Sequence, residues 1–345
     1  MKRLTLFVAA LTLQIFLIPV SMAQTELVFA HVGGSGSLFE ASANEFAKRV
    51  NEKLPSGFRV VVYGQSQRGD DMEVLGKIRR GEIAFGLPST VMSTVSPKFG
   101  IFELPFLIRS REHVRRICDA LLEPVLQPEL GSHGYRILAV WENGFRQITN
   151  NLRPISKPTD LALVKLRVPK GVWRVRAFNA LGANPVPIAL GDTYEALKNG
   201  EVDGQENPLA QIHGSKFQEV QRYLTLSDHI YSPAYLITSE HHFRQLPPEV
   251  QKILASTADE MRDWVYETAA RIENVLIDKL SVTMITNQLN TEAFRTASQP
   301  FYKEFASSIP GGFELLAQIN DLAEDSTATD NLPSNTAYRH QPVTR

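Results

Sequence analysis

The sequence predicts an α/β fold, and three observations predict it. A short apolar run, TELVFAH, is followed by a helix-spaced segment and a second apolar run, FRVVVYG. The scheme repeats in DDMEVLGKIRRGEIAFGLPS. The composition, 43 % hydrophobic and 21 % charged, supplies apolar material for packed cores. Strand–helix–strand alternation calls for a mostly parallel sheet covered by helices. At 345 residues the length favours two domains of about 100–200 residues each.

The first residues, MKRLTLFVAALTLQIFLIPVSMAQ, combine Lys2 and Arg3, an apolar stretch from Leu4 to Val20, and small residues at Ser21 and Ala23. This reads as a secretory signal over 1–23, cut after Ala23. Gln14 and Pro19 interrupt a stretch already shorter than the roughly 20 apolar residues needed to span a bilayer. No cysteine follows the small residues, so no lipid attachment is expected. The mature chain is expected to be soluble in the periplasm. The single cysteine, Cys118, sits in the helix-like REHVRRICDALLEPV, where burial is its ordinary fate.

Behind a GGSGS loop, LFEASANEFAKRVNEKL repeats Leu38, Phe39, Ala43, Phe46, Ala47 and Val50 at helical spacing. The segment DDMEVLGKIRR, from Asp70, reads as a helix closed by Gly81. YRILAVWENGFRQITNN reads as a strand, a Gly-containing turn and a second extended segment, the form of a chain crossing between domains. LVKLRVPKG follows as another strand. From Pro247, Val250, Ile253, Leu254, Ala258, Met261, Val265, Ala269, Ile272, Leu276 and Leu280 predict one helix of some thirty residues, about 45 Å long, able to brace two domains. The tail 325–345 has few apolar residues and is expected to be poorly ordered.

Net charge is −1, too small a field to hold a nucleic acid backbone. HVGGSGSLF stands where a phosphate-binding loop would be, but lacks the P-loop Lys and the full dinucleotide fingerprint. It reads as a flexible loop whose N–H groups at the helix start can meet an anionic or polar ligand. The histidines lack zinc spacing, and no Gly-x-Ser-x-Gly turn with a base partner is present. No metal, cofactor or enzymatic activity is therefore expected. In VKLRVP, alternation puts Lys165 and Arg167 on one face. If that face meets open water, both are solubility charges. If it lines a cleft, Arg167 is a fork for a carboxylate. Arg146 in ENGFRQIT poses the same choice.

From about Leu27 to Phe305 the chain resembles the DctP-type solute receptors of tripartite ATP-independent periplasmic (TRAP) transporters. The resemblance rests on ordered pieces: SQRGDDMEVLGKIRRGEIAFG, FELPFLI, NGFRQITNNLRPI, VKLRVP, LGANPVPIALGDTYEALKNGEVDGQENP, QEVQRYLTLSDHIYSP and LPPEVQKIL. It implies a two-lobed, class II-like periplasmic clamp with mixed sheets flanked by helices, its lobes bridged by crossing strands and one long helix. The implied division is 24–143 plus 232–272 for the first lobe and 144–231 plus 273–324 for the second.

By the same resemblance, Arg167 holds a ligand carboxylate, Arg146 assists, and Asn207 of GQENP supplies an amide, the rest of that polar cluster mainly fixing the backbone. Where sialic-acid receptors carry an asparagine, an aromatic and a glutamate, this chain has Val32, Leu190 and Ser89; Asp71 is kept and is expected to meet a hydroxyl. A smaller acid than sialate is thus expected. Trp173 either covers the ligand or packs a lobe. The implied function is periplasmic capture of an organic acid (a C4-dicarboxylate, a sugar acid or a related carboxylate) and delivery to the small and large TRAP membrane subunits. A monomer is the family default. The alternatives are a receptor using the same clamp for signalling and, more remotely, an exported hydrolase.

Overall fold

The computed structural model describes residues 24–324; the expected signal and tail lie outside them. Ten strands run as β1 (Thr25–Ala30), β2 (Phe58–Tyr63), β3 (Phe85–Gly86), β4 (Tyr135–Asn150), β5 (Lys165–Val168), β6 (Asn184–Pro187), β7 (Gly204–Pro208), β8 (Tyr223–Leu226), β9 (Tyr231–Ser239) and β10 (Ile285–Gln288). The helices of the N-terminal half are α1 (Leu38–Lys53), α2 (Asp71–Arg80), α3 (Met92–Val95), α4 (Arg111–Leu121) and α5 (Gln127–Ser132). Those that follow are α6 (Val172–Ala180), α7 (Leu190–Lys198), α8 (Leu209–Gly214), α9 (Glu240–Gln245), α10 (Pro248–Glu260), α11 (Arg262–Thr283), α12 (Thr291–Ser308) and α13 (Gly312–Glu324).

The strands form two sheets that share β4. In the first, β1 pairs in parallel with β2 and β3, and β9 pairs antiparallel with β3 and with the first part of β4, Tyr135 to Phe145. In the second, the end of β4 pairs antiparallel with β7 and β8, β5 lies parallel between β6 and β7, and β10 is parallel to β8. The order β2-β1-β3-β9-β4-β7-β5-β6 therefore passes from one lobe to the other through a single strand.

The ENG segment expected to turn instead stays in β4 as an irregularity. Pairing with β9 shifts register between Glu142 and Gly144, and Gly144 takes φ +124°. A glycine in that conformation absorbs the extra residue and bends the strand without reversing it. The crossing is fixed by Trp141, whose Nε1 donates to Ala258 O at 3.0 Å and whose ring lies 5.7 Å from Phe46.

Local chemistry sets the helix ends. Asp70 caps α2, accepting from the Glu73 N–H while the Glu73 carboxylate accepts from the Asp70 N–H, and Gly81 closes the helix at φ +77°. The long helical run is divided at Met261, so α10 and α11 replace one uninterrupted helix. Hydrogen bonds from Met261 N–H to Thr257 O and from Val265 N–H to Met261 O carry the ladder across the break. At 22 residues, α11 alone extends about 33 Å.

Apolar packing follows the two-sheet plan. One cluster joins Phe29, Phe46 and Trp141 to Leu254 and Val265, and a second joins Ile101, Val114 and Tyr235 to Phe301, Phe305 and Ile319. A third sits under β5, around Val164, Leu166, Phe178 and Phe294. The helix α12 thus reaches two clusters, with Phe294 in one and Phe305 in the other. Cys118 is buried in α4, and burial pushes its thiol up to about 12.

Candidate ligand-binding site

A cleft with about 350 Å³ of empty volume opens where the two sheets meet. Val32, Ser89, Arg167, Leu190 and Asn207 enter it from within or just beyond the ends of β1, β3, β5, β6 and β7. These are carboxyl ends of parallel strands, where open α/β sheets leave a crevice. Asp71 at the start of α2 and Arg146 on the crossing strand complete the set, so seven of the eight singled-out residues line one cleft. Trp173 does not line it. Its ring packs 4.8 Å from Phe305 and 6.0 Å from Phe301, over Gly100, where any side chain would collide with the indole.

Arg167 is 2 % exposed. Its Nε and Nη2 both donate to Ile188 O, at 2.9 and 2.6 Å, and its Nη1 has no partner. Burial pulls the guanidinium down to about 9, so it remains charged at neutral pH. Among the described residues no carboxylate lies within ion-pair distance of it.

Arg146 is placed differently. Its Nε donates to Glu206 Oε2, while Nη2 donates to Glu206 Oε1 at 3.0 Å, to Glu206 O at 2.6 Å and to Asn207 Oδ1 at 3.0 Å. Arg174 grips the other side of Glu206, its Nη1 2.7 Å from Oε2, and donates through Nε to Glu103 Oε2 at 2.6 Å. His229 Nε2 lies 3.2 Å from Glu206 Oε2. Burial pushes the Glu206 carboxyl up, but the charges of Arg146 and Arg174 outweigh it and hold the group well below the usual range. Burial lowers the pKa of His229 and keeps the ring neutral. Arg146 and Arg174 are thus ion-paired with Glu206 and Glu103, whereas Arg167 has no ion-pair partner and the carboxyl of the same cleft, Asp71, is only partly ionised at neutral pH.

The remaining lining combines polar groups with the apolar side chains of Val32, Phe39, Val91, Pro169 and Leu190. Burial, aided by the neighbouring Asp70 charge, raises Asp71 to about 7. The Ser89 hydroxyl donates to Pro233 O at 2.6 Å, which leaves it an acceptor toward the cleft. Asn207 gives one amide hydrogen to Gln205 Oε1 at 2.6 Å and keeps the other. At the rim, Lys170 Nζ meets Asp70 Oδ2 at 2.8 Å, joining the loop after β5 to the cap of α2.

The GGSGS loop departs from its expected role. Gly36 N–H donates to Glu40 Oε2 at 2.7 Å and Ser37 N–H to Gly34 O at 3.1 Å, so those donors are used internally. The loop's function is close approach: a side chain on Gly34 would collide with the Gly214 carbonyl. Sequence reasoning passed over Glu206, beyond a part in the backbone, and also Arg174, Asn143 and Gln211. Arg174 had a signal, since it shares the buried face of α6 with Ala177 and Phe178. Among the described residues no group of His, Cys, Asp and Glu is arranged to hold a metal, and no helix is long and apolar enough to cross a membrane.

The model of the bacterial extracellular solute-binding protein family 7, DctP, matches residues 29–308. The chain belongs to the DctP family of TRAP periplasmic solute-binding proteins. Members of this family are receptors, not enzymes. Similar to this DctP-family protein is the 2,3-diketo-L-gulonate-binding periplasmic protein YiaO of Escherichia coli (strain K12), 28 % identical over 307 residues, 88 % of this chain and 93 % of that one. Its fold matches the sugar acid binding protein DctPAm of Advenella mimigardefordensis strain DPN7T in complex with galactonate, with TM-score 0.83 and 29 % identity over 88 % of this chain and 98 % of that one. A TRAP periplasmic solute binding protein of Polaromonas sp. JS666 bound to D-erythronate matches with TM-score 0.82 and 30 % identity, covering 86 % and 98 %. The DctP-family chain has the two-lobed fold of these receptors.

Proposed function

We propose that this protein captures an organic acid with one carboxylate, a sugar acid or another hydroxy acid, and delivers it to the small and large membrane subunits of a TRAP carrier. Arg167 pairs with the carboxylate, Asn207 contributes its free amide hydrogen, and Arg146 holds Asn207 and Glu206 in place. The receptor works as a monomer whose lobes comprise 24–143 plus 232–272 and 144–231 plus 273–324.

The single observation that carries this reading is the unmatched charge of Arg167, buried with Nη1 free in a cleft. A buried cation without a counter-charge is unfavourable, and an incoming carboxylate supplies the missing partner. The other lining cation, Arg146, is already neutralised by Glu206, which favours one carboxylate per ligand over two. The galactonate and D-erythronate complexes of similar receptors point to the same ligand class. Closure is a population shift: a ligand touching both lobes stabilises only the shut state, whose shape a membrane partner can read. No chemistry on the ligand is needed.

A thermal-shift and native mass spectrometry screen against aldonates, uronates, oxo acids and dicarboxylates tests the reading. Aldonates or related hydroxy monocarboxylates are expected to raise the melting temperature most. Indifference to every acid would reject it.

A further inference from the structure

We propose that Asn143 and Gln211 form a hydroxyl-reading pair in the cleft, making the receptor select acids that carry hydroxyl groups over unsubstituted acids of the same chain length. This rests on the carboxylate reading of Arg167 above and adds the element that inspects the rest of the ligand.

Both residues line the cleft and are 5 % and 2 % exposed. Asn143 lies at the irregularity of β4, beside Gly144, and Gln211 lies on α8, the turn of helix that follows β7. Asn143 Oδ1 and Gln211 Oε1 are enclosed and have no hydrogen-bond partner. Neighbouring buried amides are treated differently. Asn207 donates to Gln205 at 2.6 Å, Gln205 donates to Thr149 at 2.9 Å, and Gln147 donates to Asp228 at 2.6 Å. Asn150 Nδ2 and Gln218 Oε1 are also enclosed without a partner, but of these amides only Asn143 and Gln211 line the cleft, where a ligand can reach them. Idle buried amides are unfavourable unless something fills their valence.

The chemistry of the missing partner follows from the carboxamide. It offers one acceptor and two donors, and a half-turn exchanges oxygen for nitrogen. A hydroxyl group both donates and accepts, so it satisfies the amide in either orientation. A methylene satisfies neither, and a second carboxylate, which only accepts, pairs with the amide nitrogen alone and leaves the amide oxygen without a partner. A site built to bond a hydroxyl rejects the analogue that lacks it, because its own polar groups are then left unpaired.

Isothermal titration with two four-carbon acids, D-erythronate and butanoate, tests the pair. The wild-type protein is expected to bind D-erythronate about 100-fold or more tightly than butanoate. Asn143→Ala and Gln211→Met, the second close to glutamine in shape, are expected to weaken D-erythronate by about 10- to 100-fold each while leaving butanoate no weaker than in wild type. Near-uniform binding of the two acids by the wild-type protein overturns the proposal without reference to any variant. So does an unchanged preference in folded Gln211→Met and Asn143→Ala. Failure of the underlying reading looks different: neither acid binds, or both bind equally well to Arg167→Met.

Discussion

The guanidinium of Arg167 is anchored to the main chain of Ile188, with Nε and Nη2 donating to one carbonyl oxygen at 2.9 and 2.6 Å. This contact fixes the plane of the fork without neutralising its charge, because a carbonyl dipole is not a counter-ion. The strand β5 delivers the residue to the cleft and the chain after β6 holds it there. An arginine anchored in this way loses little side-chain freedom when an acid arrives.

Glu206 is the electrostatic keystone behind the cleft, bonded to Arg146, Arg174 and His229. Its folded pKa is depressed, so its contribution to stability is present above its unfolded pKa and is lost as pH falls toward the folded value. Glu206→Gln leaves two buried guanidinium groups short of charge and is expected to cost about 3–5 kcal/mol. Urea denaturation at neutral pH measures this; an unchanged midpoint and slope would contradict it.

Asp71 titrates in the opposite sense. Its carboxyl keeps a proton up to about 7 in the folded protein, against an ordinary value of 3.8. The folded state therefore binds the extra proton between these values, and stability from this group falls as pH rises across that window and levels off above it. A neutral Asp71 does not repel a ligand carboxylate. Acid affinity is expected to fall by about tenfold as pH rises through 7, and Asp71→Asn is expected to flatten the profile. A wild-type titration curve that is level from about pH 5.5 to 8.5 would remove Asp71 from the account.

Much of this arrangement was legible in the sequence, and the parts that were not have definable causes. Alternation placed Lys165 and Arg167 on one face of β5, and only the fold shows that Lys165 is exposed while Arg167 enters the cleft. The rule of period two reports the face and is silent about what covers it. Glu206 and Arg174 are 32 positions apart, and Arg146 and Glu206 are 60 apart. Pairing at such separation leaves no local pattern, so each charge alone reads as solvated. The turn expected at Gly144 became a bent strand because a lone glycine serves either purpose. The glycine stop of α2 was fully local, and Gly81 is where the sequence placed it.

The Lys170–Asp70 pair is partly exposed, with side chains 46 % and 24 % accessible. Such a pair adds little to global stability, but it spans the rim that a ligand must pass. Lys170→Met is expected to raise the ligand dissociation rate about threefold at low salt, with a smaller effect at high salt, and to leave the unfolding free energy within about 0.5 kcal/mol. Stopped-flow displacement at two ionic strengths checks this. A salt-independent rate, or no change in rate, would deny the pair a role at the mouth.

Trp173 belongs to the core. Trp173→Ala removes a ring packed on Phe301 and Phe305 and is expected to cost about 3–5 kcal/mol of stability. Acid affinity of the folded variant is expected to stay within about twofold of wild type. Loss of affinity out of proportion to loss of stability would return the indole to the ligand.

The most direct measurement is calorimetric titration of Arg167→Met with a sugar acid that binds the wild-type protein, alongside its unfolding curve. The account predicts that affinity drops by two to four orders of magnitude, about 3–5 kcal/mol, while the unfolding midpoint holds or rises because a buried charge without a carboxylate partner is gone. A folded Arg167→Met variant that still takes up the acid with wild-type affinity would contradict it.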